Sequence, residues 1–315
     1  MTIHFGIPKL AQGIAGALSI AVLVAVPARA EDIPTPAKDE SLHAQLPQAV
    51  RDRGVLRVVS TFGYAPQQFY GDDGKTPQGL SVDLGNALGA VVGERVEFTN
   101  TAFDSIIPGL EAGRFDMAIA AMSVTFERGA KVNFIVYENT GAQLLVRAGN
   151  PKNINSLTDI CGINMIELKG SLYNQVIEHV SDRCVKQGKN AIHIDTIDNS
   201  DSVFQAVTTG RADATYADSS PLVYMAKLSE GRLQVTGPQY PDIPYGIAIA
   251  GENTGFAKVM GAALDKLIKD GTYKAILAKW GLGFRAADAA AVTPVGSPAS
   301  AYPPPPSAVD IAFGK

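Results

Sequence analysis

The chain has 315 residues, with 27 lysines and arginines against 31 aspartates and glutamates, for a formal net charge of −4. So slight and well mixed a charge excludes the basic stripe by which nucleic-acid-binding chains hold phosphates. Two cysteines, at 161 and 184, are too few for a cysteine-rich zinc site and too far apart for a CxxC redox pair. None of the four histidines (His4, His43, His179, His193) pairs at metal-ligand spacing, so neither a metal nor a cofactor is expected.

The first segment reads as an export signal. Lys9 precedes the apolar run LAQGIAGALSIAVLVAV, and Ala28-Arg29-Ala30 supplies an A-x-A cleavage pattern, so residues 1–30 are expected to be removed. In an oxidising compartment Cys161 and Cys184 are expected to form a disulfide, the alternative being two buried free thiols. Residues 31–50 are polar and contain proline, which predicts a flexible leader.

Short β-rich runs then alternate with helical patterns. Val55–Val59 predicts a strand. Leu84, Ala87, Leu88, Val91 and Val92 share one face of a helix that stops at Gly93. Val96–Phe98 predicts a strand, and Asp104 a cap for a short helix that ends near Gly113. The continuous apolar run Met117–Met122 is the pattern of a parallel strand covered on both faces. It ends abruptly in SVTFERG, which delivers Ser123 and Arg128 to the end of that strand.

A second set follows. Cys161–Ile166 predicts a strand, and Tyr173, Val176, Ile177, Val180 and Cys184 share a helical face that carries Cys184 towards the core. Ile192–Ile194 predicts a strand. Ser200 or Asp201 would cap a helix bearing Val203, Phe204 and Val207, Ala214–Tyr216 is a strand, and Ser219-Ser220-Pro221 opens another helix. The return part has a strand at Tyr245–Ala250, an amphipathic helix from Phe256 to Ile268, and a short helix bearing Ile276, Leu277 and Trp280. From 286 the alanine- and proline-rich stretch is expected to be a disordered tail.

This order predicts an α/β protein of two lobes crossed twice by the chain. The expected parts are 51–146 plus 243–285 for lobe 1, 147–242 for lobe 2, and 286–315 for the tail. Ligands of open α/β sheets lie beyond the carboxyl ends of strands, which is where Ser123 and Asp218 fall.

Several blocks in order resemble the polar-amino-acid-binding, extracellular solute-binding proteins of ABC importers, family 3. GVLRVVSTFGYAPQQFY is similar to the family's opening strand and aromatic loop. AFDSIIPGLEAGRFDMAIAAMSVTFERGAKVNF resembles its most specific run. GRADATYADSS, PYGIAIAGENTGF and LDKLIKDGTYKAILAKWGL fit its second lobe, return crossing and terminal helix pair. The resemblance implies a type II periplasmic binding protein with a double-crossover hinge and a cleft between the lobes. It would be a monomer in the periplasm that hands an amino acid to a membrane permease.

The resemblance also implies roles. Arg128 would bind the ligand α-carboxylate as a planar fork, helped by Ser123. The Ala121 carbonyl and the Asp218 carboxylate would meet the α-ammonium. Ser171 would offer a hydroxyl and N–H from the second lobe, and Tyr64 and Phe103 would bracket the ligand side chain. The family's usual Y-P-P-F is replaced by Tyr64-Ala65-Pro66-Gln67. Thr61 stands where members that bind basic amino acids often carry an acid, which points to a neutral amino acid.

An alternative is an enzyme on the same scaffold, since periplasmic cyclohexadienyl dehydratases resemble this family. Their pattern has a glutamate soon after the second-lobe glycine turn, whereas Gly170-Ser171-Leu172-Tyr173-Asn174 holds no acid and Glu167 precedes the turn. Gly74-Lys75-Thr76 is not a phosphate-binding loop, because Phe69 stands where a glycine is required, and no G-x-S-x-G turn occurs.

Overall fold

The computed structural model describes residues 33–240, 244–302 and 308–313; the expected signal peptide lies outside them. Two short helices lead, α1 (Glu40–Ala44) and α2 (Gln48–Arg53), followed by β1 (Val55–Ser60), β2 (Phe69–Tyr70), β3 (Pro77–Gln78), α3 (Leu80–Val92) and β4 (Arg95–Asn100). Next come α4 (Ile106–Glu111), β5 (Met117–Ala118), the single turn α5 (Phe126–Gly129) and β6 (Val132–Glu138). The second set is β7 (Ala142–Arg147), β8 (Asn164–Leu168), α6 (Leu172–Lys186), β9 (His193–Ile197), α7 (Ser200–Thr209), β10 (Ala214–Asp218), α8 (Ser219–Leu228) and β11 (Leu233–Tyr240). The chain returns through β12 (Tyr245–Ala250), α9 (Thr254–Lys269) and α10 (Thr272–Lys279), then adds β13 (Ala286–Thr293) and α11 (Ala308–Ala312).

These elements build two sheets. The first has the order β13-β6-β12-β5-β1-β4 and the second β11-β7-β10-β8-β9. Strand β1 runs parallel to both β4 and β5, while β12 is antiparallel to β5 and β6. Every residue of β12 is buried, as a strand covered on both faces requires. One face of this sheet packs on α3 and α9 through Leu84, Leu88, Val91, Met260, Leu264 and Leu267. In the second sheet α6 covers one face with Val176, Ile177 and Val180, and α7 covers the other with Val203, Phe204 and Val207.

The crossings lie between Glu138 and Ala142 and between Tyr240 and Tyr245. The first is therefore earlier than the expected boundary at 146/147. Strand β7 is buried along most of its length, a pattern that suits either lobe, and only its pairing with β10 and β11 assigns it to the second sheet. Local pattern also misplaced some ends. The α7 cap is the Asn199 side chain, which accepts from the Ser202 N–H at 2.9 Å, rather than Ser200 or Asp201. The strand after Cys161 begins only at Asn164.

Among the described residues, the expected leader and tail hold more structure than composition suggests. In the expected leader, Leu46 and Val50 are buried in the lobe 1 core, and Asp39 caps α1 and pairs with Lys266 of α9 at 2.9 Å. In the expected tail, β13 pairs antiparallel with β6 (Val292 with Ile135, Thr293 with Phe134) and closes an edge of the first sheet. Edge pairing uses backbone groups, so even an alanine-rich segment can supply them. Beyond it Tyr302 is buried, and α11 lies on α6, where Arg183 pairs with Asp310 at 2.9 Å.

Cys161 and Cys184 form the disulfide, joining the turn before β8 to the last turn of α6. Replacing both by serine is expected to lower the unfolding free energy by about 3 kcal/mol, from the entropy of the loop that they close. Guanidinium denaturation of the two forms measures this directly.

Candidate ligand-binding site

The apolar run expected as one strand over Met117–Met122 pairs as β5 only at Met117–Ala118. Ala121 then takes φ = 49°, the left-handed region that costs a residue with a Cβ of order 1 kcal/mol. Beyond this reversal the chain stays bonded to the start of β12, Ser123 bridging antiparallel to Tyr245 and the Gly246 N–H donating to the Met122 carbonyl at 3.0 Å, and the turn α5 follows at the rim of the cleft. Thr125 caps α5, its hydroxyl accepting from the Arg128 N–H at 3.3 Å.

Arg128 is the charged group of this rim. Its Nη1 donates to the Ser123 carbonyl at 2.8 Å, its Nη2 donates to the Gly170 carbonyl of lobe 2 at 3.0 Å, and its guanidinium carbon lies 5.3 Å from the Phe103 ring centroid. Desolvation lowers its pKa to about 10. Among the described residues it makes no ion pair, so a half-buried guanidinium is held by neutral carbonyls and an aromatic face.

Asp218 ends β10 on the opposite lobe. It stands at the head of α8 but its carboxylate does not cap that helix. Oδ1 accepts from the hydroxyls of Tyr173 at 2.5 Å and Thr140 at 2.9 Å, and Oδ2 accepts from Tyr64 at 2.8 Å. Burial pushes its pKa up to about 6, against the pull of those hydroxyls. Here too the described residues provide no ion pair. A buried acid whose direct partners are hydroxyls, with the Arg285 charge also acting on it, still gains from a cation that brings donors and charge together.

The lobes meet across the cleft. Tyr64 of lobe 1 reaches Asp218 of lobe 2, Arg128 reaches Gly170, and Lys169 pairs with Asp104 at 2.9 Å. Asp104, expected as a helix cap, is therefore an interlobe partner. The pair is partly exposed, so it steers closure more than it holds it.

All seven residues expected from sequence (Tyr64, Phe103, Ala121, Ser123, Arg128, Ser171 and Asp218) line one cavity. Their partners refine the expectation. Tyr64 stacks on Phe204 of α7, with centroids 6.1 Å apart and planes 4° from parallel, while Phe103 lies under Arg128. Ser171 caps α6, accepting from the Asn174 N–H at 3.1 Å, and its own N–H is spent on the Leu168 carbonyl. Its hydroxyl hydrogen remains available to donate. Gln67, at the departure from Y-P-P-F, donates to both oxygens of Glu138 at 3.2 and 3.1 Å beside the first crossing. Burial pushes Glu138 up to about 8.

Phe204, Tyr173, Thr140 and Glu167 were not expected at the site. Phe204 and Tyr173 sit on helical stripes that read as core, and their position in the N-terminal halves of α7 and α6 was the available signal. Glu167 also lines the cavity, accepting from the Tyr216 N–H at 2.9 Å. Burial raises it well above the usual carboxylate range, against the pull of the Tyr216 N–H and the Thr215 hydroxyl.

Two α/β lobes, crossed twice and closing on a cleft with an arginine on one wall and an aspartate on the other, define a type II binding protein. Residues 56–283 match the bacterial extracellular solute-binding proteins, family 3, and the chain belongs to that family. It is 29% identical over 251 residues to the arginine-binding protein ArgT of Corynebacterium glutamicum, covering 79% of this chain and 81% of that protein. It is 28% identical over 232 residues to the L-cystine-binding protein TcyJ of Escherichia coli K12, covering 73% and 84% respectively. An ancestral arginine-binding protein bound to arginine superposes with a TM-score of 0.67 at 32% identity, over 72% of this chain and 98% of its own.

Proposed function

We propose that the protein captures an amino acid in the interlobe cleft and delivers it from the periplasm to the permease of an ABC importer. The observation that carries this is the pairing of Arg128 on one lobe with Asp218 on the other, each without an ion pair among the described residues. The guanidinium takes the α-carboxylate as a fork, helped by Ser123 and the Ser171 hydroxyl. Asp218 and the Ala121 carbonyl take the α-ammonium. Each end of the zwitterion is held mainly from one lobe, so the ligand gains full contact only when both close, and binding shifts the population towards the closed form.

The side chain of the ligand is neutral in this reading. Thr61 is engaged with the Thr101 carbonyl at 2.9 Å, and the additional acid of the cavity, Glu167, is already engaged by the Tyr216 N–H at 2.9 Å. Relatives named for arginine and for cystine make those two the informative comparisons. A thermal-shift screen of the twenty amino acids and cystine, followed by calorimetry, tests the reading. Stabilisation by neutral amino acids and a weaker response to arginine are expected. Selective stabilisation by a compound without a carboxylate would refute the zwitterion clamp.

Glu167 sustains the second reading, a cyclohexadienyl dehydratase-like enzyme, because it is a buried acid at the cavity wall. Its carboxylate is tied to the Tyr216 backbone, which suits a strand brace better than a general acid. No turnover of prephenate or arogenate is expected.

A further inference from the structure

The family match ends at residue 283, yet the chain beyond it reaches the site. After β13 the segment runs behind α5, the turn that carries Arg128. The Val295 N–H donates to Asn133 Oδ1 at 3.0 Å, and the Gly296 N–H donates to the Gly129 carbonyl at 3.2 Å. Tyr302 follows. Its ring is 5.7 Å from that of Phe126 at 74°, and it lies so close to Gly129 that a Cβ built there would overlap its hydroxyl oxygen, Cζ and Cε1. Tyr302 is 5% exposed and packs in the cluster that holds Phe103, Met122 and Val124.

A four-residue turn has no stability of its own, because nucleating one costs more than its hydrogen bonds return. Thr125 holds the start of α5, and Gly296 and Tyr302 hold its end and back. Arg128 lies between these supports, and its guanidinium direction depends on the backbone that they hold. We propose that the C-terminal extension is part of the ligand-binding apparatus, with Tyr302 as the residue that positions Arg128 for the ligand α-carboxylate. This rests on the carboxylate role given to Arg128 above.

The test uses the full mature chain with Tyr302→Ala and the conservative Tyr302→Phe. In the ligand-free protein, amide hydrogen exchange at 127–130 is expected to quicken about tenfold in Tyr302→Ala, while the core of α9 around Leu264 is unchanged. Tyr302→Phe keeps the ring and is expected to exchange as the wild type does. Calorimetry with L-cystine and L-arginine, and with the strongest amino acid of the screen, is expected to show about a tenfold loss in Tyr302→Ala and none in Tyr302→Phe.

Unchanged exchange at 127–130 in Tyr302→Ala overturns the proposal, as does quickened exchange with undiminished affinity. A uniform acceleration that includes α9 also overturns it, since Tyr302 would then only stabilise the lobe. If Arg128→Ala binds as the wild type does, the carboxylate role fails by itself, and the exchange data still judge Tyr302.

Discussion

Arg128→Ala is expected to lower the affinity for the amino acid by at least about tenfold, and by about a hundredfold where both proposed guanidinium bonds to the carboxylate are lost, at ~1.5–3 kcal/mol each before compensation. Lysine at the same position keeps a charge but loses the planar fork, so Arg128→Lys falls between the two. Isothermal calorimetry at pH 7.5 gives both ratios. The fold is unaffected, because the partners left behind are the carbonyls of Ser123 and Gly170 rather than a stranded carboxylate. Removing a desolvated charge that lacks an ion pair leaves the thermal midpoint unchanged or slightly raised. Undiminished binding in Arg128→Ala would remove the arginine from the site.

Asp218→Asn is expected to cost about a hundredfold in affinity at pH 7.5, and to abolish a pH dependence that the wild type shows. The aspartate lies at about 6 in the ligand-free protein, raised by burial from its ordinary 3.8. Only its ionised form pairs with an ammonium, so wild-type affinity is full above pH 7 and falls about tenfold between pH 7 and 5. Folding stability moves the other way. A carboxylate raised on folding binds its proton more tightly in the native state, so its contribution is fully present below 3.8 and is lost as pH rises through about 6. The ligand-free wild type therefore gains more stability on acidification from pH 7 to 5 than the asparagine variant, which keeps only the share of other raised acids such as Glu138. Parallel pH profiles of affinity and melting in the two proteins would show the opposed trends, and a flat wild-type affinity profile would rule out Asp218 as the ammonium partner.

The α/β architecture was legible because the helical stripes and buried strands are long and strongly periodic. Leu84 to Val92 and Phe256 to Ile268 each fall on the expected helix. The approximate place of the site was legible for a different reason. SVTFERG and YADSS are polar exits from apolar strands, and Arg128 and Asp218 sit at those exits. Partners were harder to read. Tyr173, Phe204 and Thr140 reach Asp218 or Tyr64 from elements distant in sequence, and no local pattern distinguishes them from core or loop residues. The boundary at β7 and the role of the C-terminal segment failed for a related reason. Both depend on which strand edge a segment pairs with, a choice made by tertiary contacts. Composition alone made AADAAAVT a tail, although it forms β13.

The contact between Gly129 and Tyr302 bears on how other chains of this kind can be compared. A side chain at position 129 and an aromatic ring seated behind the Arg128 turn compete for the same space. A chain with a bulky residue there cannot dock an extension in this way, whatever follows its last helix. Position 129 is thus a one-letter marker, readable without a structure, of whether the space behind the turn is open to a C-terminal segment.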